Sequence, residues 1–201
     1  MMMNNEVFLK TELEFTENSL FFTQNDTINI VMDMCEDSLM KRTSEVLVEE
    51  GDDLLEVGFG MGMFANYAQL RNPKSHTIVE GHPQVFEKLK QWSLDKKNVE
   101  IIFGDWSKNL EKIKTKKYDS VYFDTHLDQN TYKFFYHIKD SIKIGGKYSR
   151  FGLDVKNKIY SETEFGDTKV EILTDEIHNI IPSENVNYFP DKIFPICVVR
   201  V

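Results

Sequence analysis

The sequence contains little cysteine and no long apolar run. Its two cysteines among 201 residues, Cys35 and Cys197, lie far apart and do not have the spacing of a metal site. We expect both thiols to be reduced and partly buried. The apolar runs fall well short of the roughly 20 residues that a helix needs to cross a bilayer, and residues 1–3 lack the basic and apolar regions of a secretory signal. These absences predict a cytoplasmic protein that spans no membrane and binds no metal.

The sequence also has a deficit of positive charge. Lysine and arginine number 24 against 33 aspartate and glutamate residues, which gives a net charge of −9. This balance disfavours a large phosphate-binding surface, so duplex nucleic acid is not expected as a partner. A cationic or zwitterionic small molecule would suit the acidity, although most of this charge is expected to be solvated surface. The length fits a single domain with a full core.

The middle of the chain alternates between apolar strand patterns and helix patterns. The predicted strands are residues 53–57, 75–80, 99–103, 118–123 and 147–151, and the predicted helices between them are residues 61–70, 83–92, 106–113 and 131–144. Apolar strands that alternate with helices indicate a parallel sheet covered by helices. Two β-rich runs, residues 169–181 and 193–201, predict an antiparallel pair that completes the sheet. The sequence therefore predicts an α/β, Rossmann-like fold with a mostly parallel sheet and an antiparallel C-terminal strand pair.

Two further patterns precede this alternation. Residues 7–22 alternate apolar and polar side chains in two short bursts, which predicts a small hairpin or an irregular arm. From residue 26 the spacing changes to that of one or two helices, which end near Gly51. The residues expected on one helical face are Ile28, Met32, Cys35 and Leu39. Within one structural domain, we expect residues 1–50 to form an arm and helices that close over the site, and residues 51–201 to form the core.

A glycine-rich turn follows the first strand of the alternating region. Gly58, Gly60 and Gly62 occupy alternate positions between a strand and a helix, where glycine lets the backbone turn sharply and approach a ligand closely. By itself this pattern also fits a tight turn without a ligand. Glu56, two residues before Gly58, separates the ligand classes, because a carboxylate there would repel a pyrophosphate and attract an ammonium or sulfonium group. The pattern therefore favours S-adenosylmethionine over a dinucleotide.

Acidic residues also follow the next two strands. Glu80 closes the second strand 22 residues after Gly58, where its carboxylate could accept hydrogen bonds from both hydroxyls of a ribose. After the third strand, Asp105 could accept from the amine of an adenine, and Trp106 could pack beside the ring. Taken singly, these residues also fit a surface acid, a helix cap and a core aromatic. Their recurrence at successive strand ends indicates a ligand crevice, since ligands of open α/β sheets bind there.

Several stretches of the sequence resemble a known family. The matching stretches are Val31-Met32-x-x-x-Glu36-x-x-x-Met40, Leu55-Glu56-Val57-Gly58-Phe59-Gly60-Met61-Gly62, Glu80-Gly81-His82-Pro83, Gly104-Asp105-Trp106 and Phe123-Asp124-Thr125. From about Leu13 to the C-terminus, the chain resembles the guanidinoacetate N-methyltransferase and arginine delta-N-methyltransferase family of class I methyltransferases. Either Phe194-Pro195 or Phe189-Pro190 would match the family's terminal Phe-Pro pair. The resemblance implies an enzyme that transfers a methyl group from S-adenosylmethionine to a guanidino group.

The resemblance also implies a set of site residues. Together with Glu56, the residues expected against the cofactor are Gly58, Phe59, Gly60, Met61, Gly62, Met63, Glu80, Gly81, His82, Asp105, Trp106 and Asp124. Met40 and Phe15 of the N-terminal arm would close over the cofactor, and Glu36 and Asp124 would face the methyl acceptor. The expected partner is arginine, guanidinoacetate or a similar guanidino compound, free or within a protein, bound by a monomer or homodimer.

The chemistry of a guanidinium gives an independent reason for two carboxylates. Its pKa lies above about 12, so the nitrogen lone pair is not available for attack on a methyl group. Two carboxylates can grip the planar group bidentately, aim one nitrogen and accept the proton lost during transfer. We assign Asp124 as the base of this pair and Glu36 as its partner. The alternatives are a structural acid at a strand end for Asp124 and a solvated helix face for Glu36.

Other functions stay open beside guanidino methylation. Cys35 stands where the family usually has an aromatic residue, and His126 lies near the acceptor, where an imidazole with a pKa near neutrality could act as a base. These departures keep methylation of another small-molecule nitrogen or oxygen nucleophile open. A catalytically silent S-adenosylmethionine-binding module and a nicotinamide-dependent oxidoreductase are further alternatives. Nucleic-acid methylation is not expected, because Asp124-Thr125-His126-Leu127 stands where such enzymes usually have an Asp/Asn-Pro-Pro-aromatic segment.

Overall fold

The fold consists of two sheets and the helices that pack on them. The computed structural model describes residues 5–126, 131–156, 158–180 and 193–201, so that Leu127 and Phe189-Pro190 of the sequence analysis lie outside the described residues. The first elements are α1 (Asn5–Phe8), β1 (Glu14–Phe15), β2 (Ser19–Gln24), β3 (Thr27–Asp33) and α2 (Asp37–Leu47). The later strands are β4 (Asp53–Val57), β5 (Ser75–Glu80), β6 (Val99–Phe103), β7 (Tyr118–Phe123), β8 (Ile142–Arg150), β9 (Glu171–Asn179) and β10 (Ile193–Arg200). The later helices are α3 (Met63–Gln69), α4 (Pro83–Ser93), α5 (Leu110–Ile113), α6 (Thr131–Ile138) and α7 (Lys158–Phe165).

The N-terminal strands β1, β2 and β3 form a small antiparallel sheet. Asn25 and Asp26 join β2 to β3 with φ angles of 51° and 57°, the left-handed conformation that a two-residue hairpin turn requires. The helix predicted from residue 26 is therefore wrong over β3 and is confirmed only from α2 onward. Ile28 and Met32 misled the interpretation, because residues four apart share one face of a strand as well as one face of a helix.

The larger sheet carries the predicted architecture. Its seven strands run in the order β6-β5-β4-β7-β8-β10-β9. Strands β4 to β8 are parallel to their neighbours among themselves, and β10 is antiparallel to both β8 and β9. This confirms a mostly parallel sheet with an antiparallel C-terminal strand pair. The chain leaves β4 toward β6 and returns on the other side of β4 as β7, so the loops after β4 and β7 diverge and open a crevice.

Two details near the C-terminal half differ from the expectation. The helix predicted over residues 131–144 ends at Ile138 in α6, and residues 142–144 begin β8. Gly145 and Gly146 therefore lie inside β8 and do not form a turn between a helix and a strand. Gly145 has a φ of 80°, a conformation that interrupts the regular strand there. Helix α7 lies between β8 and β9, in a segment for which the sequence analysis predicted no helix or strand.

Both faces of the larger sheet are covered. Leu54 and Leu55, which are consecutive on β4 and point to opposite faces, are both fully buried. Such two-sided burial is what a parallel sheet between two helical layers requires. Within the described ranges, the helices are all too short or too polar to span a bilayer.

Candidate active site

A cavity opens at the carboxyl ends of the parallel strands β4, β5, β6 and β7. The small N-terminal sheet, α1 and α2 cover it from one side. The residues that the sequence analysis predicted and that lie on the cavity wall are Glu36, Met40, Glu56, Gly58, Phe59, Gly60, Glu80, Gly81, His82, Asp105, Trp106 and Asp124. The crevice is therefore at the place where the strand order reverses, as expected for a ligand site of this sheet type.

The glycine turn touches the loop that follows β7. Gly58 has a φ of 91°, and a Cβ atom there would lie 1.7 Å from the carbonyl oxygen of Asp124. Asp124 in turn donates its backbone N–H to the carbonyl of Val57 over 2.8 Å. A side chain at residue 58 would push these two loops apart, so the turn needs glycine for close approach as well as for its backbone conformation.

The next glycine of the turn faces the N-terminal sheet. A Cβ atom at Gly60 would lie 2.5 Å from the Sδ atom of Met32, and Met61 donates its N–H to the same sulfur over 3.2 Å. Met32 lies on β3, the strand that the sequence analysis read as helix. This contact seats the N-terminal sheet directly on the glycine turn.

The side chain of Glu80 holds the glycine turn in place through hydrogen bonds to the backbone. Its Oε2 accepts from the backbone N–H of Phe59 over 2.8 Å, and its Oε1 accepts from that of His82 over 2.6 Å. Burial raises the pKa of Glu80, and these backbone donors act in the opposite direction. The backbones of Gly60 and Gly81 also form hydrogen bonds with this carboxyl. Glu80 therefore holds the turn as well as lining the cavity, and the sequence analysis predicted only its role toward a ligand.

Asp105 and Trp106 line the far end of the cavity. Asp105 Oδ1 accepts from the N–H of Ser107 over 2.8 Å, and its Oδ2 accepts from the side-chain amide of Asn5 over 2.6 Å. The second bond holds α1 against the loop after β6. Trp106 is buried edge-on against Phe134, with ring centroids 5.1 Å apart. An aromatic wall and an acidic acceptor therefore stand side by side.

Two histidines face the cavity near α1. His82 Nε2 lies 2.9 Å from the carbonyl oxygen of Thr11, so this nitrogen carries the hydrogen, and the buried Nδ1 has no hydrogen-bond partner among the described residues. The ring of His126 packs against Phe8, with centroids 4.9 Å apart. Burial lowers the pKa of His126 to about 4. The expectation of an imidazole titrating near neutrality at residue 126 is therefore wrong.

The predicted pair of acceptor carboxylates lies on one wall of the cavity. Burial raises the pKa of Asp124 to about 7. Glu36 is only 3% exposed, and burial first and the charge of Asp124 second raise the pKa of its carboxyl well above the usual range. Glu36 is held in place by the N–H of Asp33, which donates to its Oε1 over 3.0 Å. The structure thus brings Glu36 and Asp124 into one electrostatically coupled group, and Glu36 does not lie on a solvated helix face.

Sequence reasoning missed Tyr122 as a member of this group. The Tyr122 hydroxyl donates to Asp124 Oδ2 over 3.3 Å and lies 3.5 Å from the sulfur of Met40. Its ring stacks on Phe64, with centroids 4.1 Å apart. Residues two apart on a strand share a face, so the pairing of Tyr122 with Asp124 could have been read from β7.

Four of the predicted cofactor residues, all within the described part of the chain, lie off the cavity wall. They are Phe15, Met61, Gly62 and Met63. Phe15 is partly buried beside Lys88, whose Nζ lies 5.1 Å from the ring centroid. Gly62 has a φ of 76° and precedes α3, and Met63 is buried in the core. These residues shape the start of α3 and the N-terminal sheet, and their contact with a ligand stays a prediction.

The described residues contain no group of three or more histidine, cysteine or acidic side chains that could hold a metal ion. Cys35 is partly buried and Cys197 is buried, and the two do not form a disulfide bond. Besides the carboxyl groups and the two histidines, the polar side chains on the cavity wall are Asn5, Tyr122 and Thr125.

The fold is that of solved methyltransferases. The precorrin-6y C5,15-methyltransferase of Geobacter metallireducens matches with a TM-score of 0.64 at 11% identity, over 90% of this chain and 94% of that one. The TYW2 of M. jannaschii, solved in complex with AdoMet, matches with a TM-score of 0.59 at 16% identity, over 94% of this chain and 87% of that one. At such identities the likeness concerns the fold alone.

Sequence relatives are closer. The protein arginine N-methyltransferase 2 of Candida glabrata is 37% identical over 129 residues, which cover 60% of this chain and 31% of that protein. The protein of the same name from Yarrowia lipolytica is 32% identical over 158 residues, which cover 72% of this chain and 32% of that protein. The chain thus matches about a third of the length of these curated relatives.

A family model decides the assignment. The model described as guanidinoacetate N-methyltransferase matches residues 27–150. This range holds the glycine turn, Glu80, Asp105 and both acceptor-side carboxylates, and it covers more than half of the chain. The chain belongs to the guanidinoacetate N-methyltransferase family.

Proposed function

We propose that the protein transfers the methyl group of S-adenosylmethionine to a nitrogen of a guanidino group. The observation that carries the proposal is the charge of the cavity. Its wall holds five carboxylates and, among the described residues, no lysine or arginine. The five are Glu36, Glu56, Glu80, Asp105 and Asp124. Such a wall favours a sulfonium, an ammonium and a guanidinium, and it disfavours a phosphate-bearing cofactor.

The residues present fit this methyl donor in three ways. Gly58 and Gly60 let the turn pack tightly on Asp124 and Met32 while their own backbone lines the cavity. The carboxyl of Glu80 lines the cavity as an acceptor for ribose hydroxyls, and Asp105 stands beside the aromatic ring of Trp106. The buried Nδ1 of His82 is an acceptor without a partner among the described residues, and a ligand hydrogen would satisfy it.

The donor, when bound, supplies an electrophilic methyl group. The work of this chain is then to hold the acceptor and to take a proton. In this proposal Glu36 and Asp124, which both line the cavity, grip a planar guanidinium and aim one nitrogen at that methyl. In the transfer the sulfur–methyl bond breaks, a nitrogen–methyl bond forms and the nitrogen loses one proton. Asp124, with its pKa raised to about 7, is the base we assign to that proton.

The acceptor we favour is the guanidino group of arginine. The relatives are named as protein arginine N-methyltransferases, and the family model carries the name of guanidinoacetate, so both acceptors contain the same group. We propose further that residues 1–50 close over the donor bound to residues 51–201. We propose that it acts in the cytoplasm as a monomer or homodimer, and its net charge of −9 disfavours nucleic acid as a partner.

The test is a labelled-methyl transfer assay on the purified chain with a panel of acceptors. The panel contains free arginine, guanidinoacetate, arginine-containing peptides, simple amines and an alcohol. We expect transfer to one or more guanidino compounds and none to the amines or the alcohol. Transfer to an amine or alcohol alone would contradict the guanidino assignment. Binding of S-adenosylhomocysteine without transfer to any acceptor would indicate a binding module in place of an enzyme.

A further inference from the structure

Behind the cavity wall, Glu56 pairs with a buried histidine of the neighbouring strand. Glu56 lies on β4 and is 1% exposed, and its Oε2 is 2.7 Å from Nε2 of His76 on β5. Ile78 of β5 is the register partner of Glu56, so His76, two residues earlier, lies diagonally across on the same face of the sheet. His76 is fully buried, so this contact is shielded from solvent.

The orientation of His76 is fixed from the other side of its ring. Gln69, at the end of α3, presents its amide Nε2 to His76 Nδ1 over 3.0 Å. With this amide nitrogen as the donor, Nδ1 accepts, which places the ring hydrogen on Nε2. Burial lowers the pKa of His76 to about 3, so the imidazole is neutral at physiological pH. His76 therefore approaches Glu56 as a neutral N–H donor.

Glu56 needs such a donor to stay ionised. Burial raises the pKa of Glu56 well above its usual range. On the cavity side, the charge of Glu56 raises the pKa of Asp124 and of the Tyr122 hydroxyl, so these groups interact with it. A hydrogen bond donated to the Glu56 carboxylate acts against the effect of burial.

We propose that Gln69 and His76 are positioning residues that hold Glu56 ionised and aimed at the ammonium group of the methyl donor. The chain of contacts runs from the partly buried Gln69 through the buried His76 to the cavity wall. It rests on the proposed function, because it assumes that this donor binds in the cavity. It explains how His76, which does not line the cavity itself, could influence ligand binding through Glu56.

The test compares two ligands that differ in the group Glu56 would meet. S-adenosylhomocysteine carries an ammonium and a carboxylate, and 5′-methylthioadenosine lacks both. Their dissociation constants are measured by calorimetry between about pH 5.5 and 8.5. The variants are His76→Phe, Gln69→Glu and Glu56→Gln, with His76→Gln as the control that keeps an amide donor in place of Nε2. Comparison with the wild type cancels the titration of the ligand itself.

We expect His76→Phe to weaken binding of S-adenosylhomocysteine by up to about tenfold at pH values below the Glu56 pKa, because loss of the donor raises that pKa by about one unit, and to weaken it less toward the alkaline end of the range. The pH at which affinity begins to fall should move upward accordingly. Gln69→Glu should act in the same direction, since its carboxylate would accept from Nδ1 and leave Nε2 without a hydrogen. This partly buried position serves as the second variant if His76→Phe does not fold. Binding of 5′-methylthioadenosine should change less than twofold, and His76→Gln should stay close to wild type.

Three results would overturn the inference. Unchanged pH profiles in both His76→Phe and Gln69→Glu would remove the chain from cofactor binding. An equal loss of affinity for both ligands would show that these residues have only a structural role. Failure of the wild type to bind either ligand would overturn the proposed function itself, which distinguishes that outcome from the first two.

Discussion

The hydroxyl of Tyr122 donates a hydrogen bond to Oδ2 of Asp124 across 3.3 Å. Tyr122 lies on β7, Asp124 follows the end of that strand, and both residues line the cavity. The bond favours the ionised form of Asp124, against the burial that raises its pKa to about 7. Tyr122 therefore lowers the pH at which Asp124 becomes able to accept a proton.

Substitution of Tyr122 should shift the pH dependence of methyl transfer. Asp124 must be deprotonated to act as the base, so activity is lost as the pH falls through its pKa. We expect the acid limb of the wild-type kcat/KM profile near pH 7, and Tyr122→Phe should move it upward by about half a unit to one unit. Tyr118→Phe removes a hydroxyl from the same strand that bonds to the carbonyl of Ile113, so its profile should match wild type. Identical limbs in all three proteins would exclude this role for Tyr122.

The buried acids should also make stability fall as the pH rises. Asp124 has a folded-state pKa of about 7 against an ordinary value of 3.8, so between these values the folded state binds more protons than the unfolded state. Stability is then greatest at low pH within this window and decreases by up to about 1.4 kcal/mol for each pH unit. Asp124→Asn should flatten this part of the curve, as measured by urea unfolding at a series of pH values. An equally steep curve in the variant would contradict the raised pKa.

Gly58 should tolerate no side chain. A Cβ atom there would lie 1.7 Å from the carbonyl oxygen of Asp124, so Gly58→Ala must separate two loops of the site. We expect a loss of more than about 3 kcal/mol of unfolding free energy. Gly166→Ala is the control, because Gly166 also has a positive φ, of 56°, but a Cβ atom there meets nothing within 4 Å. Its cost should be about 1 kcal/mol, from backbone conformation alone. Similar losses in the two variants would argue against close approach at residue 58.

Glu80 should matter for both the turn and the donor. Glu80→Ala leaves the N–H groups of Phe59 and His82 without their acceptor and removes the expected ribose contact. We expect S-adenosylhomocysteine affinity to fall about 10- to 100-fold, which corresponds to the loss of hydrogen bonds to a charged group. Glu80→Gln keeps one acceptor oxygen and should lose less. Calorimetry in which Glu80→Ala binds like wild type would remove the ribose assignment.

Much of the site could be predicted because it lies at the ends of strands. The acidic residues Glu80, Asp105 and Asp124 each follow a strand that the apolar pattern predicted with correct ends. Parallel strands end at one edge of a sheet, so residues distant in sequence could be brought together before the structure was available. Glu36 was located by the family motif, and its burial became evident only from the packing of α2 and β3.

The remaining features depend on tertiary contacts that local patterns do not encode. The β3 strand was mistaken for helix because a spacing of four residues fits both periods. The backbone role of Glu80 and the contact of Gly60 with Met32 arise only when the glycine turn meets other segments. The role of His76 could not be predicted from the sequence, because a histidine inside a strand indicates no function until its neighbours across the sheet are known.

The most direct test of the account is the Asp124→Asn variant, measured for methyl transfer and for cofactor binding in parallel. Asparagine keeps the size of the side chain but cannot hold a guanidinium by charge or accept its proton. We predict that transfer to the preferred guanidino acceptor falls by about 10²- to 10⁴-fold, while the dissociation constant of S-adenosylhomocysteine stays within a few-fold of the wild type. Full transfer activity in the variant would contradict the assignment of Asp124 and with it the proposed chemistry of the cavity.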